Sequence, residues 1–185
     1  MRENSGKRIL FLAGTRTTDW NLHPDSYIRQ HIILNGMKLE SEIAQRNFRN
    51  ERLKLAVNII YTHGWLNNLH AAIFKSHGIT TQQFNVLRIL RGQNPQPTTI
   101  KLIKIRMLDK MSDASRIVDK LRQKGLVVKH VSEVDKRHAE VFITKKGLKL
   151  LAAIDKRNKE FENHSASLSA REVDELNKLL DKLRG

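Results

Sequence analysis

Over most of this chain the apolar positions recur with a helical period. From about Leu39 to Lys75, Leu53, Val57, Ile60, Tyr61, Trp65, Leu69, Ala72 and Ile73 follow one another at spacings of three and four, tracing a single stripe along one predicted helix. A stripe of that length must be covered, either by another helix or by a second copy of the chain. Thr80 and Gln83 have the spacing of a capping box and Ile79 can staple to Phe84, so the next helix is expected to begin at Thr81. It carries Phe84, Val86, Leu87 and Ile89 to the core and ends near Gly92. The run Asn94, Pro95, Gln96, Pro97 reads as a turn, because proline removes a donor and turns the preceding residue away from helix. Thr98 or Thr99 then caps a third helix that runs through Ile100, Ile103 and Met107 to about Leu108. After a break at Asp109 to Met111, Ser112 is expected to cap a fourth helix, with Ala114, Ile117, Val118 and Leu121 facing inward and Gly125 as its stop.

Beyond Gly125 the period shortens to that of strands. Leu126, Val127, Val128 and Val131 form one β run, Ser132 to Arg137 is polar, and Glu140 to Ile143 form a second, which predicts a hairpin with a charged tip. Thr144 leads into a fifth helix bearing Leu148, Leu151, Ile154 and Phe161. The last helix is announced by a Ser169 and Glu172 capping box spanned by Leu168 and Val173, and its apolar face is Val173, Leu176, Leu180 and Leu183. Residues 1–36 carry no sustained period and are expected to be an N-terminal extension, either a disordered arm or a cloning remnant, ahead of a domain over 37–185. The expected fold is mainly α with a small β-hairpin wing. Two short helices joined by a tight break and followed by a basic hairpin describe a winged helix-turn-helix.

Charge points the same way. The chain has 34 Lys and Arg against 19 Asp and Glu, a net charge of +15, so its surface attracts polyanions. Nucleic acid is the first partner to consider, ahead of an anionic membrane or an acidic protein, although a basic surface also serves plain solubility. The charge is concentrated where the pattern places a reading head: residues 101–137 hold eleven basic side chains against five acidic ones. A helix in the major groove and a hairpin tip in the adjacent minor groove can straddle one face of duplex DNA. There is no cysteine, which excludes disulfides, thiolate catalysis and Cys-ligated zinc. No stretch approaches the roughly 20 apolar residues of a membrane span, and the apolar run from Ile9 to Gly14 is too short for a signal peptide. A cytoplasmic protein with no membrane partner is expected.

The string Ser112 to Val127, SDASRIVDKLRQKGLV, resembles the recognition helix and first wing strand of the MarR family of transcription regulators. The string Asp135 to Gly147, DKRHAEVFITKKG, resembles that family's wing: Asp-x-Arg, a strand, then Thr-x-x-Gly at the next helix. With the flanking helices the resemblance covers roughly residues 53–183. It implies a DNA-reading lobe at about 78–144 and a homodimer knitted by helices at about 39–76 and 145–184. It further implies that Arg137 enters a minor groove while Asp135 steadies it, with Lys136 and His138 beside them. A surface ion pair worth about 0 to 1 kcal/mol is the plain alternative for that Asp-Arg couple. Ser112, Asp113, Ser115 and Arg116 fall where family members contact bases and phosphates, with Lys120 one turn on. Arg116 is the expected base reader, since its fork of donors suits a guanine edge. Ser112 is more simply a cap, and Asp113 either accepts from cytosine, orients Arg116 or favours the helix dipole. Double-stranded DNA with a pseudo-palindromic site is the implied partner, and repression relieved by a small aromatic or anionic effector is the implied regulation. No cofactor is expected. Trp65 and His70 are candidates to line an effector pocket, a packed core tryptophan being the plainer reading.

His63, His70 and His77 stand seven apart on the first helix, but each step is roughly 10 Å of rise, too far for one metal ion to bridge, so they read as a polar or interface face, with a single histidine joining a site built with other helices as the alternative. No paired carboxylates, nucleophile with a base, or glycine-rich phosphate loop suggests an enzyme. The remaining alternatives are a winged-helix protein-interaction module and a non-specific DNA-binding protein without an inducer. RNA binding is disfavoured by the scarcity of stacking aromatics.

Overall fold

The computed structural model describes residues 38–131, 139–157 and 163–185. The expectations for residues 1–36, for the hairpin tip and for Phe161 therefore lie outside the described residues. The chain begins with a short helix α1 (Leu39–Glu42) and a long helix α2 (Glu51–Ser76). The single helix expected from Leu39 onward is thus broken. Ala44 adopts a left-handed φ of 53°, and Asn50 starts α2 afresh by accepting from the Leu53 N–H at 2.8 Å. An Asn-rich segment offers the backbone this local alternative to helix, which the apolar stripe cannot report. Lys54 pairs with Glu40 at 2.6 Å and Tyr61 donates to Glu42 at 2.5 Å, folding α1 back along α2.

At its far end α2 closes with Gly78 at a φ of 71°, while Gly78 N–H donates to Lys75 and Ile79 N–H to Phe74. That pair of bonds is a Schellman motif, and the left-handed residue it needs is the glycine. Helix α3 (Thr81–Arg91) follows with the expected Thr80 and Gln83 capping box. Strand β1 (Thr98–Thr99), helix α4 (Ile100–Arg106), helix α5 (Ala114–Gln123), strands β2 (Val127–Val131) and β3 (Ala139–Ile143), and helix α6 (Lys145–Asp155) complete the lobe. A 3₁₀ turn at Asn163–Ser165 precedes the last helix α7 (Ala170–Arg184), again with its expected capping box. The strands form an antiparallel sheet in the order β1-β3-β2, with Thr98 opposite Val141 and Val127 opposite Ile143. The two threonines were expected only as caps. Thr99 does cap α4, but both residues also add a third strand to the hairpin.

One core unites these elements. Phe74, Ile79, Val86, Leu87, Leu90, Ile103, Met107, Val118, Leu121, Val127, Val141, Leu151 and Ile154 are buried together, and Phe84 stacks on Phe74 at 4.2 Å between centroids. The sequence Thr-x-x-Gly has a physical reason here. Thr144 accepts from the Gly147 N–H at 3.1 Å and donates to the Gly125 carbonyl at 2.9 Å, so one side chain caps α6 and clips it to the end of α5. A Cβ at Gly147 would collide with the Leu126 carbonyl and with Ile143, so this close approach needs glycine.

The terminal helices contrast with this core. On α2 only Leu69, Ile73 and Phe74 are buried, while Leu53, Leu55 and Ile60 stay exposed. Helix α7 buries no residue at all, and Leu176, Leu179 and Leu183 are each about half exposed.

Candidate nucleic-acid interface

Helix α5 is set against the lobe by Ala114, Val118 and Leu121, which leaves Ser115, Arg116 and Lys120 on its exposed face. Its ends are fixed. Gly125, at a φ of 69°, makes a second Schellman motif with bonds to Arg122 and Leu121. Lys124 then donates to the Gly78 carbonyl at 2.6 Å and to Gln83 at 3.0 Å, tying the C-terminal end of α5 to the α2–α3 turn.

At the N-terminal end the cap is Asp113, not the Ser112 expected from sequence. Asp113 accepts from the Arg116 N–H at 3.0 Å. Ser112 is engaged one turn back, where its hydroxyl donates to Asp109 at 2.6 Å and the Met111 N–H donates to the same carboxylate at 2.9 Å. These bonds, the Ser112 hydroxyl first, hold the Asp109 carboxyl below the usual carboxylate range. Both residues are good caps in isolation, and the competing acceptor at Asp109 decides between them.

The hairpin rises beside this helix. Lys129 on β2 reaches Asp119 on α5 at 3.5 Å, and the ladder runs from Val127 opposite Ile143 to Val131 opposite Ala139. Asp135, Lys136, Arg137 and His138 belong to the segment joining the two strands and lie outside the described residues. Lys101, Lys104, Arg106 and Lys110 are exposed on α4 and the turn after it.

The three histidines of α2 have separate surroundings. His63 bonds Asn67 at 2.9 Å, His77 ends the helix, and His70 meets His164 at 5.7 Å between ring centroids. Trp65 packs edge-on against the same His164 at 6.3 Å. Among the described residues no three His, Asp or Glu side chains cluster as a metal site. Burial pushes both His70 and His164 below the ordinary value of 6.5, with the charge of His164 adding to the effect on His70. The part played by His164 was invisible in sequence, since 94 positions separate it from His70.

Two short helices with the second exposed at its N-terminal end, flanked by an antiparallel hairpin, define a winged helix-turn-helix. Comparison with known proteins agrees. A MarR family profile matches residues 77–138. The HTH-type transcriptional regulator MgrA of Staphylococcus aureus is 30% identical over 111 residues, which span 60% of this chain and 74% of MgrA. Among solved structures, a cysteine-to-serine mutant of MarR from E. coli complexed with operator DNA superposes with a TM-score of 0.65, at 24% identity, over 75% of this chain and 99% of that one. The organohalide-sensing regulator RdhR in its 2,4-dichlorophenol-bound form gives a TM-score of 0.68, at 21% identity, over 82% of this chain and 86% of its own. The chain belongs to the MarR family, whose members are transcription regulators and not enzymes. No helix among the described residues is long and apolar enough to cross a membrane.

Proposed function

We propose that this regulator acts in the cytoplasm as a homodimeric repressor that binds a pseudo-palindromic operator in double-stranded DNA and is released by a small aromatic or anionic effector. The observation that carries this reading is the lobe's front. The exposed face of α5, with Ser115, Arg116 and Lys120, stands beside two strands that lead to Asp135, Lys136, Arg137 and His138. In this assignment Arg116 reads a guanine edge, Ser112, Ser115 and Lys120 meet phosphates, and Asp113 serves the helix end. Arg137 enters the minor groove, steadied by Asp135, because a narrow groove concentrates negative potential around a guanidinium. Lys136 and His138 add phosphate contacts beside it.

Dimerisation is supported by what α2 and α7 leave uncovered. Burying a leucine stabilises by about 1.5–3 kcal/mol, and a row of half-exposed leucines on α7 forgoes that gain unless a second copy covers them. Effector binding is supported by the half-buried Trp65, His70 and His164 group between α2 and the turn before α7, and by the likeness to RdhR crystallised with 2,4-dichlorophenol. A ligand there releases DNA only through its differential affinity for two spacings of the reading heads. The test is titration of Arg137→Ala against a duplex selected from random DNA. The expected result is a loss of about tenfold or more in affinity, of the order of 1–3 kcal/mol, with the dimer intact. Affinity equal to wild type at fixed salt overturns the wing assignment.

A further inference from the structure

Leu108 and Met111 are the most exposed large hydrophobic residues described, at 86% and 93% of their full accessibility. They lie on the turn between α4 and α5, immediately ahead of the end of α5 that a recognition helix sets against base edges. The turn is firmly built. The Leu108 N–H donates to Asn85 on α3 at 3.0 Å, the Met111 N–H and the Ser112 hydroxyl both donate to Asp109, and Lys110 reaches back to the Ile105 carbonyl. Two bare apolar side chains are thus held out on a backbone with little freedom to tuck them away. Their surroundings are cationic on balance, with Lys104, Arg106, Lys110, Arg116 and Lys120 all exposed nearby in the chain against the exposed carboxylates of Asp109 and Asp113, the first engaged by Ser112 and Met111 and the second by the Arg116 N–H. This differs from the leucines of α7, which repeat along a helix face as a second copy of the chain would require. A partner that offers anionic groups around isolated apolar ones fits better, and the major groove is such a surface: phosphates line its edges, and the thymine C5-methyl is the apolar feature of its floor.

We infer that Leu108 and Met111 are specificity-determining residues that read thymine methyl groups flanking the bases contacted by α5. The inference rests on the DNA-binding reading above and adds a base preference to it. Leucine supplies a fixed surface at one position, and the unbranched, polarizable methionine adapts to the methyl at the other.

The experiment uses the full chain and a duplex selected from random DNA, with each thymine in turn replaced by deoxyuridine, which removes only the methyl group. For the wild type, uracil at one or more positions per half-site is expected to weaken binding about fourfold, the worth of one buried methyl. For Leu108→Ala or Met111→Ala the same replacement costs nothing at the matching position, while the slope of affinity against salt stays that of the wild type, since no phosphate contact is lost. Both side chains are exposed, so the variants keep the wild-type circular dichroism. Three outcomes overturn the proposal: uracil without effect on the wild type, uracil with equal effect on the variants, or variants whose DNA-free mass differs from wild type, which assigns the pair to a contact between copies. Selection that returns no bound duplex defeats the DNA-binding reading itself, and is thereby distinguishable.

Discussion

The reading lobe and the terminal helices both draw on leucine and isoleucine, yet they solve different problems. In the lobe and in helix α6, which packs into its core although the sequence groups it with the terminal helices, Leu87, Leu90, Ile103, Leu121, Leu151 and Ile154 are fully or almost fully buried within one chain. On α7, Leu176, Leu179 and Leu183 are about half exposed, and the N-terminal half of α2 leaves Ile60 at 71% exposure. Amphipathic sequence is therefore used in two ways: one half of the molecule closes its own core, and the other leaves an apolar face open, which the proposed dimer would bury against a second copy. Protein concentration should matter to one half and not to the other.

The sharpest way to break this contrast is to charge the face of α7. Leu176→Lys combined with Leu183→Lys is expected to raise the dimer dissociation constant by about a thousandfold or more, because each ammonium would be buried unpaired and each substitution counts twice in a symmetric dimer. Sedimentation velocity reads this directly, and an unchanged mass would show that α7 faces solvent. The complementary substitution lies in the lobe. Leu121→Ala empties a fully buried site and should cost about 2–5 kcal/mol of unfolding free energy. Urea titrations at two protein concentrations should show the loss of Leu121 equally at both. A loss confined to the dilute sample would mean that the lobe, too, depends on its partner.

Much of this division was legible in the sequence because it is written in local codes. The capping boxes at Thr80 and Ser169, the stop at Gly125 and the strand runs on either side of the hairpin tip all use spacings of a few residues, and the structure has each of them. What failed was competition. The break between α1 and α2 turns on Asn50 starting a new helix in a stretch whose apolar pattern continues around it. The choice of Asp113 over Ser112 as the α5 cap turns on Asp109 taking the serine hydroxyl. At the α5 cap two residues were each capable of the role, and at the break a local cap competed with an uninterrupted helix; propensity alone decides neither contest. The meeting of Trp65, His70 and His164 was beyond reach for another reason: it joins distant segments, and no periodicity links them. Exposure at Leu108 and Met111 was hidden similarly, since apolar residues near a helix end read as core until the neighbouring elements are placed.

That histidine pair gives the smallest expected effect and places it among the terminal helices, on α2 and the turn before α7. His70 and His164 both titrate below 6.5, burial being the main cause for each. The unfolded chain takes up protons at these sites near the ordinary value, while the folded chain takes them up only at lower pH. Between those limits the unfolded state binds more protons, so stability rises with pH there; it is complete above about 6.5 and declines as the pH falls toward the folded values. His164→Gln removes one of the two groups and relieves the charge that His164 imposes on His70. Thermal unfolding from about pH 7.5 down to about pH 5.5, through the ordinary histidine range, should therefore show a smaller decline for the variant than for the wild type. The difference should be less than the effect of Leu121→Ala, because both imidazoles keep substantial contact with solvent. Superimposable pH profiles would place the acid sensitivity elsewhere, and a decline that vanishes when the dimer is saturated would tie the pair to the covered face of α2.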